Sequence, residues 1–341
     1  MRSTQKLPRQ IPATEVQRLE LTDLAPGRYR FRLALAEDAT SQRVCVPVQV
    51  VKGHAPGPVV GITAALHGNE VNGLPVIHRL FRRLHASELA GTVVGVGPLN
   101  VPGYLRNKRE FSDGKDLNRV FPGSPTGNES SVYAHAIVER LLRNFDVLFD
   151  LHTASFGRSN SLYIRADMTQ AQTAHLARVI RPQIIVHNRA DGTLRAAAEH
   201  LGIHALTVEI GNPQRAQETL VLSSSVGLRE ALEHLGMTKS DEESPQAETV
   251  ECSHSYWLYT DGGGLLEVFP HLTERVARGQ PVAQLLNEWG EVHRVYEAPE
   301  DGIVIGKATN PVASSGARIL HLGVVGSVPE RAQPPRDSAP C

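Results

Sequence analysis

Two short apolar runs in this chain each stop at a histidine, and that pairing constrains the fold strongly. Residues 58–66 (PVVGITAAL) lead directly into His67, and residues 147–151 (VLFDL) lead into His152. Runs of this length, bounded by glycine, proline or polar residues, read as buried strands. Beyond the first run the period changes: Val71, Leu74, Ile77, Leu80, Phe81 and Leu84 recur at helical spacing over 71–89. Further helices are expected over 132–144, 169–180, 193–201 and 226–235. Strands over 28–36, 43–51, 92–97 and 204–210 complete the pattern, with an irregular loop at 98–131. Such alternation gives an α/β sheet with helices on both faces. In open sheets of this kind, sites form where strands end.

His67 and Glu70 stand three residues apart at the first of those ends, so both side chains can turn toward one point. Imidazole and carboxylate are ligands that zinc accepts, and an open catalytic site needs three from the protein. His152, at the end of another strand, is the third candidate. Taken alone, a His-x-x-Glu pair is a common accident, and His152 reads as a hydrogen-bonded core histidine. The pair gains weight from its company. Asp116-Leu117-Asn118-Arg119 lies between the histidines, and Val208-Glu209-Ile210-Gly211 ends a further apolar strand. Glu209 reads either as a salt-bridged strand-end glutamate or as a general base aimed at the same sheet edge.

The four motifs H-G-N-E (67–70), D-L-N-R-x-F-P-G (116–123), D-L-H-T (150–153) and E-x-G (209–211) resemble those of the succinylglutamate desuccinylase/aspartoacylase family. The resemblance covers residues 50–326 and implies a mixed sheet of the zinc carboxypeptidase-like (M14-like) kind. It implies one Zn²⁺ per subunit on His67, Glu70 and His152, with Glu209 activating water and passing the proton to the leaving nitrogen. It also implies that Asn118 and Arg119 bind a substrate carboxylate and that Asp116 orients His67. Asp150 competes for such an orienting role, since it shares a strand face with His152. In the family an arginine ahead of the D-L-N-R motif polarises the scissile carbonyl. Counting back by the aspartoacylase spacing lands on Phe111 instead, which leaves Arg109 and Arg106, with Arg109 preferred.

The implied activity is hydrolysis of the amide bond in a small N-acyl amino acid or N-acyl amine. Family substrates include N-acetylaspartate, succinylglutamate and acetylated diaminobutyrate, and the partner expected here is a small N-acylated molecule with a carboxylate. A homo-oligomer stays open. Two other readings stand beside this one: a metallocarboxypeptidase acting on peptides, and a non-catalytic member that binds through its C-terminal unit.

At 341 residues the chain exceeds the ~250–300 that a single core usually holds. The expected division is a loosely ordered stretch 1–14, a zinc-hydrolase α/β domain 15–237, a linker 238–250, an all-β barrel-like domain 251–326, and a disordered tail 327–341. Residues 298–304 resemble the turn and strand of biotinyl/lipoyl barrels. Lys307, the one lysine of that unit, lies in no exposed hairpin, so a structural or gating role is favoured over a carrier role. Thirty-five basic against 36 acidic residues argue against nucleic acid or an anionic membrane as partner. No run reaches membrane-spanning length, and the N-terminus lacks the apolar core of a signal peptide. Cys45, Cys252 and Cys341 show no metal-type spacing and leave one unpaired, which favours a reducing compartment, the cytoplasm.

Overall fold

The computed structural model describes residues 11–189, 191–239 and 248–328. What was expected for 1–10, 240–247 and 329–341, which hold most of the N-terminal stretch, the linker and the tail, lies outside the described residues.

Strands β1 (Thr14–Val16), β2 (Gly27–Glu37) and β3 (Arg43–Lys52) come first, then β4 (Ala55–Ala64), helix α1 (Gly73–Arg83) and β5 (Ala90–Val96). Helices α2 (Val101–Leu105) and α3 (Glu129–Arg140) precede β6 (Val147–His152), β7 (Arg158–Asn160) and β8 (Leu162–Ala166). Next come α4 (Ala171–Val179), β9 (Ile184–His187), α5 (Leu194–His200), β10 (His204–Ile210) and α6 (Glu218–His234). The later described residues form strands and no helix: β11 (Val250–Tyr259), β12 (Gly264–Val268), β13 (Arg275–Val276), β14 (Pro281–Leu286), β15 (Val292–Glu297), β16 (Gly302–Ala308), β17 (Val312–Ala313) and β18 (Arg318–Val325).

One mixed sheet runs in the order β1-β2-β3-β5-β4-β6-β10-β8-β9-β11-β18-β16-β13. Its centre, β5-β4-β6-β10, is parallel, and antiparallel neighbours adjoin it through β3 and β8. The sheet separates two apolar cores. Val147, Phe149 and Leu151 of β6 pack with residues of α1, α4 and α6, while Leu148 packs with residues of α3 and α5. Phe149 is fully buried, a contribution of about 1.5–3 kcal/mol. Because side chains alternate along a strand, Asp150 and His152 share the face of Leu148.

Helix α1 ends sooner than its apolar spacing suggests. The Arg28 guanidinium, from β2, donates to the carbonyls of Phe81 and Leu84. That satisfies the last turn from outside, and Leu84 is already extended. Helix α6 starts at Glu218 rather than at 226: the run Ser223-Ser224-Ser225 interrupts the apolar pattern, yet Ser224 and Ser225 are buried in the helix. The strands of 158–187 were not evident in the sequence. They are short, and β7 is completed only by β16, far along the chain.

The C-terminal strands continue the main sheet: β11 joins β9 in parallel, and β18 and β16 follow. A second sheet, β15-β14-β12-β17, packs against them through Val282 and Leu285 on one side and Ile319 and Leu322 on the other. Lys307 lies in β16, and its ammonium donates to the Pro270 carbonyl at 2.7 Å. None of the described helices is long and apolar enough to cross a membrane.

Candidate metal centre

The chain leaves β4 through Ala65, whose φ of 55° is left-handed, a conformation that residues with a Cβ seldom adopt. Backbone N–H groups of Leu99 and Asn100 hold this turn by donating to the carbonyls of Ala64 and Ala65, both at 2.9 Å. His67 is thereby set over the strand end. A Cβ on Gly68 would lie 2.0 Å from the carbonyl carbon of Gly103, so the residue after the histidine must be glycine. The Glu70 N–H then donates to the His67 carbonyl at 3.0 Å, bringing the two side chains to one side. His152 is the last residue of β6, and Glu209 of β10 is its register partner. Gly211 closes that strand with a φ of 67°.

His67, Glu70 and His152 converge, all three buried. Nδ1 of His67 lies 2.9 Å from Glu70 Oε1 and 3.2 Å from Nδ1 of His152, which lies 3.0 Å from Glu70 Oε2. The other nitrogen of each ring meets a carboxylate. Asp116 Oδ1 is 3.0 Å from His67 Nε2, and Asp150 Oδ2 is 2.7 Å from His152 Nε2. Each Nε2 therefore donates to its carboxylate, and each Nδ1 faces the shared point, where a proton or a metal ion can sit. Asp150 is itself held by the Thr63 hydroxyl at 2.7 Å. The two acids weighed as orienting partners thus each take a different histidine.

Electrostatics favour a cation here. Burial pushes the Glu70 carboxyl upward, but the charge of His67 and bonds from His152 and His67 outweigh it and hold Glu70 well below the carboxylate range. Burial likewise opposes ionisation of Asp116 and is overcome by His67 and Arg109. For His152, burial disfavours the charged ring, yet Asp150 and Glu70 raise its pKa well above the ordinary value. The donor set fits a divalent metal ion. One ligand atom from each of the three residues lies within 4.8 Å of the other two, close enough to share one ion with ligand bonds of about 2.0–2.1 Å.

Arg109 lies against this group. Its Nη1 donates to Glu70 Oε1 at 2.7 Å and to Ser155 Oγ at 2.6 Å, while Nε and Nη2 donate to Asp116 Oδ2. A guanidinium has five N–H donors, so these four bonds leave one, on Nη2. Arg106 is not among the cavity-lining residues, its Nε donating to the Pro102 carbonyl. Phe111, where the family spacing pointed, is a core residue. Asn118 and Arg119 line the cavity. The Asn118 Oδ1 accepts from the Leu194 N–H at 2.8 Å, which leaves the amide NH₂ as the donor end of the side chain. Arg119 has no carboxylate partner among the described residues; its Nη1 donates to the Asn118 carbonyl.

Glu209 faces the same cavity, of about 640 Å³. Arg165 Nη2 lies 3.0 Å from its Oε1, and the Asn160 amide donates to its Oε2 at 3.3 Å. Neither partner was singled out in the sequence. Arg165 alternates with apolar neighbours in Leu-Tyr-Ile-Arg-Ala, which is a signal that it leaves the core. Arg195 was missed too. It is buried beside Glu199, with Nη1 2.6 Å from Oε1, and its place in an apolar helix was the available sign. Tyr256, Trp257 and His321 also line the cavity. They come from β11 and β18, so the C-terminal strands form part of its wall.

The arrangement joins a buried candidate metal-ligand set to a carboxylate outside that set, held by Arg165 and Asn160, and to several guanidinium groups. It can activate water, and it can hold an anionic molecule while doing so.

Comparisons with known proteins follow the same line. The sequence profile of the Succinylglutamate desuccinylase/Aspartoacylase catalytic domain matches residues 56–235. The N-alpha-acetyl-L-2,4-diaminobutyric acid deacetylase of Halomonas elongata is 26% identical over 310 residues, covering 86% of this chain and 90% of that protein. A succinylglutamate desuccinylase of Pseudomonas paraeruginosa is 31% identical over 165 residues, or 44% of this chain and 49% of the relative. Among solved structures, a succinylglutamate desuccinylase/aspartoacylase from Rhodobacter sphaeroides superposes with a TM-score of 0.81 at 24% identity. It covers 92% of this chain and all of the other.

Proposed function

The chain belongs to the succinylglutamate desuccinylase/aspartoacylase family, and from that membership we propose that it is a zinc-dependent deacylase of small N-acyl amino acids. Relatives named as a deacetylase and as desuccinylases support hydrolysis of an amide between an acyl group and an amino acid. The observation that carries the reading is the buried His67–Glu70–His152 set with Glu209 beside it, one strand away in register.

His67, Glu70 and His152 would hold the zinc ion through their inward-facing atoms. Bound there, zinc supplies Lewis acidity toward the acyl carbonyl and toward the attacking water. Asp116 and Asp150 keep the two rings in the tautomer that ligation needs. Glu209 accepts the proton from the water as it attacks and delivers it to the leaving nitrogen; Arg165 and Asn160 keep that carboxylate in place. The remaining N–H of Arg109 donates to the carbonyl oxygen as it gains charge. Arg119, a planar fork without a protein carboxylate to meet, clamps the carboxylate of the amino acid, and the Asn118 amide donates beside it. Water adds across the C–N bond, leaving a carboxylic acid and a free amine.

Tyr256, Trp257 and His321 close one side of the cavity, which suits a small molecule better than a peptide lying in an open groove. The packing of two C-terminal sheets around one apolar cluster supports reading those strands as a barrel-like unit. Cys45 and Cys252 are free thiols, which supports a reducing, cytoplasmic compartment.

Chelated protein, reloaded with zinc, should hydrolyse members of a panel of N-acyl amino acids faster than it removes C-terminal residues from peptides. Faster peptide trimming would make it a carboxypeptidase. Full zinc loading with no hydrolysis across the panel would reduce it to a binding protein.

A further inference from the structure

Strands β4 and β10 are not neighbours. In the order β4-β6-β10 the strand β6 lies between them, so their ends stand about 9–10 Å apart, two strand spacings. One end leads to His67 and Glu70, and the other carries Glu209. Sheet hydrogen bonds fix each strand only as far as its last paired residue, Ala64 in β4 and Ile210 in β10. Past those points both chains turn through left-handed residues, Ala65 and Gly211. Something other than the ladder must hold the two turns at a fixed distance.

The side chain of Asn72 does so. It follows Glu70 by two residues and is fully buried. Its Nδ2 donates to the Ile210 carbonyl at 2.9 Å and to Gln217 Oε1 at 3.2 Å, and its Oδ1 accepts from the Gln217 N–H at 3.3 Å. Gln217 extends the link, because its Oε1 also accepts from the Asn212 N–H at 2.6 Å. Asn72 and Gln217 stand directly before α1 and α6, so the pair joins two helix starts as well as two turns. The glycine of the E-x-G motif makes room for it: a Cβ on Gly211 would lie 2.4 Å from Gln217 Oε1. A further bond runs beside the pair, from the Gln214 N–H to the Asn69 carbonyl at 3.1 Å. A buried asparagine is often only a satisfied polar group within a core. Here every side-chain bond it makes ends on the segment 210–217, so all of them serve one junction.

We propose that Asn72 and Gln217 are positioning residues, whose reciprocal amide link sets where Glu209 stands relative to His67, Glu70 and His152. Neither is among the residues lining the cavity, so both act through the backbone they hold. Pinning the Ile210 carbonyl and the Asn212 N–H fixes the chain on the far side of Glu209, as β10 fixes it on the near side. Displacing a reacting group by about 1 Å can cost 10²-fold in rate, and a doubly bonded clip removes that freedom. This inference rests on the deacylase reading for what Glu209 does, but not for the coupling of the two turns.

Three variants of the intact, zinc-loaded protein test it. Asn72→Ala and Gln217→Leu should lower kcat about 10–100-fold while KM stays within about twofold. Zinc content should not change, since the three ligands are untouched. Gln217→Glu keeps both acceptor bonds of the side chain and should retain the wild-type kcat. Gln217 is half-buried, so its two variants carry the test if Asn72→Ala does not fold. Wild-type kcat in Gln217→Leu, or equal losses in Gln217→Leu and Gln217→Glu, would overturn the proposal while leaving deacylation standing. Amide hydrogen exchange needs no turnover. Asn72→Ala should speed exchange across residues 209–217, and Gln217→Leu across residues 67–74, each by about tenfold. Acceleration confined to the mutated segment would show that the turns are held independently and would sink the idea. This arm decides the matter if no panel member is hydrolysed.

Discussion

His67 and His152 face each other with their Nδ1 atoms 3.2 Å apart, and each ring's opposite nitrogen is held by its own carboxylate, Asp116 for one and Asp150 for the other. The two carboxylates fix the orientation of the rings, so ligation would begin from rings already turned the right way. Asp150→Asn should therefore weaken zinc affinity about 10–100-fold, measured by competition with a chromogenic chelator. His152→Ala should lose stoichiometric metal altogether. An Asp150→Asn protein with unchanged affinity would leave Asp150 a packing residue.

Glu209 is held by Arg165 and Asn160 and makes no hydrogen bond or ion pair with His67, Glu70 or His152. Glu209→Gln keeps the shape and removes the proton acceptor. Zinc content should stay at the wild-type level while kcat falls by about 10²–10⁴. Loss of metal in this variant would move Glu209 from catalysis to assembly of the site.

His321 is neutral in the folded protein because burial and three nearby arginines lower its pKa from 6.5 to about 3. The unfolded chain takes up a proton on this ring over that interval and the folded one does not. Stability is thus fully present above about pH 6.5 and is lost progressively as the pH falls toward 3. Urea unfolding should show a shallower loss between pH 6.5 and 4 for His321→Gln than for wild type. Parallel pH profiles would mean that the ring is accessible to protons in the fold.

Gly68 is pressed against Gly103, with no room for a Cβ. Gly68→Ala should cost about 1–3 kcal/mol in unfolding free energy through overpacking. It should also weaken zinc binding, because the strain falls on the turn that carries His67. Chemical denaturation and metal titration of the same variant separate the two effects.

Much of the catalytic edge was legible because it depends on local pattern. The second half of β4 and nearly all of β6 and β10 are buried, so each reads as a short apolar run; His67 and His152 directly follow theirs, and Glu209 stands one residue before the end of β10. The D-L-N-R loop was legible through its resemblance to the family motif, and Asp116 in fact binds both His67 and Arg109. Other parts had no local signature. Helix α1 is stopped by an arginine from β2, and β7 is a strand only because β16 lies beside it. Asn160 and Arg165 acquire their meaning from Glu209, which is more than forty positions further on.

The sequence by itself determined where chemistry could occur, because strand period and strand ends are properties of neighbouring residues. Tertiary structure decided what that chemistry could act upon. The wall of Trp257 and His321 is built by strands that reach the cavity only through sheet pairing with β9 and β16. Which guanidinium groups have partners is likewise settled by packing, since a charge is satisfied or left open by what stands near it in space, not along the chain.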